Sequence, residues 1–108
     1  MTACNASISV CMMIESAAGL AHAHEIAQVP GVDYLSFGLL DLAQSLGHPG
    51  EAAHPAVKDG VARCSAAIRA TGKRVREDFM RFVWVNDALR TGLRTLLDGS
   101  TARPGASA

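Results

Sequence analysis

The sequence predicts an α/β fold in which parallel strands are covered by helices. Short apolar runs of strand length alternate with segments whose apolar residues recur at helical spacing, and 49% of the 108 residues are hydrophobic. Apolar runs without a polar alternation are typical of strands buried on both faces, as in parallel sheets. The order strand, helix, strand, helix implies βαβ units with right-handed crossovers.

The first unit begins with an apolar run over residues 8–14, which predicts a strand buried on both faces. Glu15 follows this strand directly. Ser16 can then cap a helix over residues 17–28, where apolar residues recur at helical spacing and a Pro-Gly pair ends the segment.

The second unit begins with a predicted strand over residues 32–37, which Gly38 ends. A short helix over residues 41–46 follows and is closed by Gly47. The first residue of this helix is Asp41, so a carboxylate again follows the strand.

The third unit is less regular. Residues 56–71 predict an amphipathic helix ended by a glycine, and residues 73–77 predict a short strand despite their high charge. From Phe79 onward the apolar residues up to Leu97 fit one helical face, yet residues 82–85 also fit a buried strand with Asn86 or Asp87 as the next helix cap, and periodicity leaves both open. We expect the polar tail over residues 100–108 to be disordered, leaving 1–99 as one domain.

Composition excludes several classes of function. Ten Lys and Arg residues balance ten Asp and Glu residues, without the basic patch that a nucleic-acid binder uses on phosphates. The longest apolar stretches are far below the roughly 20 residues that span a bilayer, and no leader pattern opens the chain. Three cysteines without a close pair argue against a disulfide framework. We therefore expect a cytoplasmic protein that binds neither nucleic acid nor a membrane.

A parallel sheet of three or four strands would leave two exposed edges. Folded proteins avoid such edges by closing a barrel or by adding strands. The chain therefore has the pattern of a part of a larger structure.

Glu15 and Asp41 are the candidate chemical groups, because loops after the carboxyl ends of parallel strands form the binding face of α/β folds. Two carboxylates on neighbouring strands can bind a hard cation such as Mg²⁺ or Mn²⁺. Both residues also suit the first turn of a helix, where the helix dipole favours negative charge. Position alone leaves the metal-binding and the capping interpretations open.

Two segments carry a family resemblance. Residues 13–16 read Met-Ile-Glu-Ser, and residues 25–47 read Glu-Ile-Ala-Gln-Val-Pro-Gly-Val-Asp-Tyr-Leu-Ser-Phe-Gly-Leu-Leu-Asp-Leu-Ala-Gln-Ser-Leu-Gly. This pattern resembles the HpcH/HpaI aldolase family, the metal-dependent pyruvate aldolases with relatives among citrate lyase beta-like proteins. The resemblance covers about residues 8 to 72 well and weakens toward the C-terminus.

The resemblance implies the C-terminal part, about the last four βα units, of a TIM (β/α)8 barrel. It implies that Glu15 and Asp41 bind a divalent metal, Mg²⁺ or Mn²⁺ or alternatively Co²⁺, and that Gly38, Leu40 and Asp41 hold a 2-oxo acid. The implied reaction is reversible cleavage of a 4-hydroxy-2-oxo acid into pyruvate, or a related 2-oxo acid, and an aldehyde through a metal-stabilised enolate. Leu39 replaces a frequent family proline, and Met13 replaces the substrate-binding glutamine of some members.

The family also uses a histidine base and an arginine from the first half of its barrel, and only seven residues precede the first predicted strand. The chain has four histidines, His22, His24, His48 and His54, and we expect none to replace that base. We therefore expect no activity from the chain alone, and either a homo-oligomer or association with a missing N-terminal half. The alternative function is a non-catalytic half-barrel module that self-associates or completes a partner chain.

Overall fold

A computed structural model describes residues 3–99 and has an α/β fold built on a small parallel sheet. The three strands are β1 (Cys11–Ile14), β2 (Tyr34–Phe37) and β3 (Arg74–Val75). The helices are α1 (Ala3–Ala6), α2 (Ala17–Ala21), α3 (Ala23–Gln28), α4 (Leu39–Ser45), α5 (Pro55–Ala70) and α6 (Val85–Leu97), and a 3₁₀ turn covers Arg76–Asp78.

The strands lie in the order β1, β2, β3, and each is parallel to the next. Ile14 pairs with Phe37, so β1 and β2 end at the same level of the sheet. Leu35 pairs with Val75 in the short third strand. The α/β class is therefore confirmed, whereas the described residues contain three strands and do not themselves close a barrel.

The helix predicted over residues 17–28 is present as two helices. The predicted cap is confirmed, because the Ser16 side chain accepts a hydrogen bond of 3.0 Å from the Gly19 backbone nitrogen. The helix breaks at His22, whose ring Nδ1 lies 3.0 Å from the Ala18 carbonyl oxygen. A side chain that bonds to a helical carbonyl competes with the regular backbone pattern, and this local bond accompanies the break between α2 and α3.

Helix α5 organises the core by packing against α2, α3, α4 and β3. The side chains with the least exposure come from the sheet and the two flanking helices: Leu35, Leu42, Val57, Ile68 and Val75. The helix predicted over residues 56–71 is thus confirmed within one residue at each end.

The predicted glycine stops are also confirmed, because Gly47 and Gly72 have φ values of 85° and 84°, which favour glycine.

Strand β1 differs from its prediction. Residues 8–14 were expected to be buried on both faces, yet the strand covers only Cys11–Ile14, and Met12 and Met13 are 42% and 51% exposed. The reason is that β1 is the edge strand of the sheet, with no strand beyond it among residues 3–99. The apolar pattern of residues 8–14 therefore predicts more burial than residues 3–99 provide for this strand.

The ambiguous C-terminal segment is helical from Val85 onward, and residues 82–84 are neither strand nor helix, so the strand alternative is wrong and the helix begins later than its alternative predicted. Trp84 precedes the helix and is 80% exposed, so it is not part of the core of the described residues.

The predicted disordered tail, residues 100–108, lies outside the described residues. Within residues 3–99, every helix is too short or too polar to cross a bilayer.

Candidate functional site

Glu15 lies against Gly38 at the carboxyl ends of β1 and β2. Each residue directly follows one member of the Ile14–Phe37 pair, and the Gly38 backbone nitrogen donates a 3.0 Å hydrogen bond to the Ile14 carbonyl oxygen. A Cβ atom on Gly38 would lie 3.1 Å from Glu15 Cβ and 3.3 Å from Glu15 Oε2. The missing side chain of Gly38 is therefore what allows the Glu15 carboxylate to occupy this position.

Asp41 lies in the first turn of α4, which begins immediately after Gly38. The helix has no side-chain cap, and the Leu42 backbone nitrogen donates a 2.8 Å hydrogen bond to the Gly38 carbonyl oxygen. The exposed Asp41 carboxylate thus stands one helical turn from the glycine that contacts Glu15.

The two candidate carboxylates do not serve as helix caps. Ser16 caps α2, and Gly38 occupies the cap position of α4. Among residues 3–99, neither the Glu15 nor the Asp41 carboxylate has a hydrogen-bond or ion-pair partner. Their oxygens are therefore available to accept bonds from a ligand, although a favourable helix-dipole interaction for Asp41 still applies.

A hydrogen bond fixes the loop of Glu15 relative to α4. The Ser45 hydroxyl, at the end of α4, accepts a 2.9 Å hydrogen bond from the Ala17 backbone nitrogen. Because Ala17 is only two residues from Glu15, this contact ties the start of α2 to the helix that carries Asp41. This hydrogen bond, together with the pairing of β1 and β2, therefore holds the two loops in position relative to each other.

A cleft of about 480 Å³ opens at the start of α4. Its lining residues are Gly38, Leu39, Leu40, Asp41, Ala52 and Trp84. All three residues predicted to hold a 2-oxo acid therefore line one cavity, and Glu15 contacts this cavity's edge at Gly38. The cleft combines apolar walls with one carboxylate, a composition typical of a small-molecule site.

Sequence reasoning missed a second group of polar residues. His48, Glu51 and His54 each offer a ligand atom, and these atoms lie within 4.8 Å of one another. The available signal was the spacing, since the three residues recur at every third position of one loop. The remaining histidines are elsewhere: His22 bonds to a helical carbonyl, and His24 is exposed on α3.

The shifted ionisable groups lie away from the cleft. The hydrogen bond from Arg69 holds the pKa of the Asp78 carboxyl below its usual value, and the same contact raises the pKa of Arg69. Burial raises the pKa of the Cys64 thiol, which therefore stays protonated and is a poor nucleophile. The cysteine thus belongs to the core and not to a reactive site.

Comparison with known proteins identifies sequence relatives. The profile of the family described as HpcH/HpaI aldolase/citrate lyase matches residues 2–95. A hydroxypyruvate/pyruvate aldolase of Paraburkholderia phytofirmans is 46% identical over 68 residues, covering 63% of this chain and 26% of the relative. A 4-hydroxy-2-oxovalerate aldolase of Rhodococcus jostii is 42% identical over 66 residues, covering 59% of this chain and 26% of the relative.

A solved structure extends this similarity to the fold. The crystal structure of an HpcH/HpaI aldolase/citrate lyase family protein from Burkholderia cenocepacia matches with a TM-score of 0.68 and 34% identity. The match covers 92% of this chain and 45% of that protein. The chain therefore spans about a quarter of the curated relatives that it matches and under half of this structural neighbour.

Proposed function

Because this chain belongs to the HpcH/HpaI aldolase/citrate lyase family, we propose that it forms part of a metal-dependent carbon–carbon lyase. The proposed substrate is a 4-hydroxy-2-oxo acid, and the products are pyruvate, or a related 2-oxo acid, and an aldehyde. The observation that carries this proposal is the contact of Glu15 with Gly38, beside the helix of Asp41, where two parallel strands end. The names of the two aldolase relatives support the substrate class.

The proposed architecture is the C-terminal part of a (β/α)8 barrel, with residues 1–99 as its domain. The strand order is compatible with it, because β1, β2 and β3 neighbour one another in sequence order. That order is expected in a barrel and also within one half of a doubly wound sheet, so family membership is what favours the barrel. The exposed edge at Met12 and Met13 is also what a further barrel strand would cover.

The proposed cofactor is Mg²⁺ or Mn²⁺, or alternatively Co²⁺, held by Glu15 and Asp41. The donor set fits, because both groups are hard carboxylate oxygens that lack partners among the described residues. A bound divalent cation supplies Lewis acidity that polarises the ketone of a 2-oxo acid. The start of α4 at Gly38 and Leu40 then orients the carboxylate of the acid in the cleft.

Metal titration of the purified chain tests the assignment of the site. Mn²⁺ binding measured by calorimetry is expected to weaken at least about tenfold in Glu15→Gln and in Asp41→Asn, because each loses a charged ligand. His24→Gln changes an exposed residue on α3 and is the matched control, with unchanged affinity expected. Mn²⁺ affinity that is the same in all three variants would contradict the metal assignment.

A cleavage assay tests the chemistry. We expect the chain alone to release no pyruvate from a 4-hydroxy-2-oxo acid, because the family's histidine base and arginine have no counterpart that matches in this sequence. Pyruvate release that disappears in Glu15→Ala would show that the chain is sufficient, and would overturn that expectation while supporting the lyase assignment.

The second candidate function is a non-catalytic half-barrel module that self-associates or completes a partner chain. Exposed apolar side chains favour it: Met12 and Met13 on the edge strand, and Leu89 and Leu93 on α6. Sedimentation analysis tests the self-association that this candidate invokes, because self-association requires a dimer or a larger species. A folded chain that sediments as a monomer at every concentration would exclude self-association.

A further inference from the structure

We propose that the loop between α4 and α5 is a second metal site, in which His48, Glu51 and His54 bind Zn²⁺. The site is separate from the one assigned to Glu15 and Asp41 and does not depend on it. Its ligand atoms already lie within 4.8 Å of one another. In a tetrahedral zinc site the ligand atoms are about 3.3 Å apart, given zinc–ligand distances near 2.0 Å. The ligand atoms must therefore approach one another by at most about 1.5 Å for the ion to bind.

The loop backbone holds the three residues together before any ion binds. The Glu51 nitrogen donates to the His48 carbonyl oxygen at 3.1 Å, and the His54 nitrogen donates to the Glu51 carbonyl oxygen at 2.9 Å. These two consecutive turns return every third residue to the same region. Gly50, between the first two ligands, has a φ of 80°, a conformation that other residues rarely adopt.

The histidine rings are close but must turn to bind an ion. Their centroids are 3.5 Å apart and their planes differ by 16°, so the rings are stacked. In-plane nitrogen lone pairs of stacked rings do not converge on one point. Among the described residues the His48 ring has no hydrogen-bond partner, so it is free to rotate toward His54 and Glu51.

The hydrogen bond of His54 points to Nδ1 as the atom that binds the ion. This nitrogen accepts a 3.2 Å hydrogen bond from the Ala56 backbone nitrogen, so it carries a lone pair. An ion on Nδ1 replaces that helix-capping bond, a small loss compared with a metal–nitrogen bond. The nearby helix N-terminus opposes a cation, but Pro55 there lacks an N–H group and the Glu51 carboxylate supplies compensating negative charge.

The donor set selects for transition metals. Two imidazoles and one carboxylate suit Zn²⁺, whereas Mg²⁺ and Mn²⁺ prefer oxygen ligands such as those of Glu15 and Asp41. Three protein ligands leave a fourth position open to water or a small anion. The loop also contains Ala52, which lines the cleft beside Asp41, so a bound ion would fix one wall of that cleft.

The test is titration of the full chain with ZnCl₂ by calorimetry, together with the visible absorption of bound Co²⁺. The parent protein for this test carries Glu15→Gln and Asp41→Asn, so that only the second site remains. Three further variants are matched to their local roles. His48→Phe keeps an aromatic ring in the stack, Glu51→Gln removes only the charge, and His54→Asn keeps an acceptor at the start of α5.

We expect one Zn²⁺ per chain in the parent and at least about tenfold weaker binding in each of the three variants. We also expect the intense Co²⁺ absorption of a four-coordinate site, lost in the same variants. His24→Gln should leave both readouts unchanged. Zinc affinity that survives all three substitutions, or a parent that binds no zinc, would overturn the proposal. Far-UV circular dichroism matching the parent establishes that a variant has lost ligands and not its fold.

Failure of this proposal is distinguishable from failure of the lyase assignment. The zinc measurements are made without the Glu15 and Asp41 carboxylates, and the Mn²⁺ measurements depend on them. Failure to bind zinc therefore leaves the Mn²⁺ result unaffected, and failure to bind Mn²⁺ leaves the zinc result unaffected.

Discussion

Adding one methyl group at Gly38 tests whether Glu15 is held where a cation requires it. The new Cβ would lie 3.1 Å from Glu15 Cβ, and ordinary contacts begin at 3.4 Å, so Glu15 must retreat by a few tenths of an ångström. Metal–ligand distances tolerate about 0.2 Å of error. We therefore expect Gly38→Ala to weaken Mn²⁺ binding by about 10- to 100-fold, the range seen when the support of a ligand is removed.

Calorimetric titration with Mn²⁺ measures this effect, and two other glycine-to-alanine variants serve as controls. Gly92→Ala on α6 meets no atom within 4 Å, so Mn²⁺ affinity should stay unchanged. Gly60→Ala places its Cβ 3.1 Å from Leu20 Cδ1, which reproduces the crowding in the core without touching Glu15. Mn²⁺ affinity of Gly38→Ala within about twofold of the unmodified chain would refute the positioning role.

Three further predictions concern stability. Ile68→Ala should lower the free energy of unfolding by about 2–5 kcal/mol in urea titrations, because the side chain is fully buried and its removal leaves a cavity; a loss below about 1 kcal/mol would contradict this packing. Ser16→Ala should cost about 1 kcal/mol in the same measurement, since the Gly19 nitrogen loses its acceptor, and Ser16→Asn should restore most of it. The lowered pKa of Asp78 means that its contact with Arg69 stabilises the fold above the unfolded-state pKa near 4 and is lost as the pH falls below it. Unfolding free energy should thus decline more steeply below about pH 4 in the unmodified chain than in Asp78→Asn, and parallel curves would contradict the linkage.

Local signals in the sequence predicted most element boundaries. Ser16 caps α2, and the positive φ angles of Gly47 and Gly72 end α4 and α5 as expected. These signals succeed because capping and left-handed turns depend on one or two residues and their immediate backbone. The apolar runs located β1 and β2 but predicted each strand too long at its N-terminal end, and the charged segment of β3 contains no such run.

Burial was harder to predict than secondary structure. The apolar pattern of residues 8–14 indicated a strand covered on both faces, but Met12 and Met13 are exposed at the sheet edge. The leucines of α6 likewise fit one helical face and have no cover among the described residues. A hydrophobic pattern reports the burial of a segment in the complete folded assembly, and the described chain provides only part of that surface.

The two candidate sites differ in how far sequence could reveal them. Glu15 and Gly38 were predicted separately, and parallel register makes them neighbours because Ile14 and Phe37 end their strands together. That consequence follows from topology and is general to α/β folds. The contact also explains why residue 38 is a glycine, because a side chain there would crowd Glu15. The sequence alone did not indicate this.

The histidine cluster follows from a different kind of constraint. Its geometry depends on two consecutive turns, the first of which contains Gly50 with a positive φ, a backbone property that spacing alone does not specify. The same three residues in an extended loop would place His48 and His54 about 20 Å apart, at 3.3 Å per residue. The turns instead stack the two rings at 3.5 Å. The loop conformation, more than the residue types, is therefore what makes His48, Glu51 and His54 a candidate zinc site.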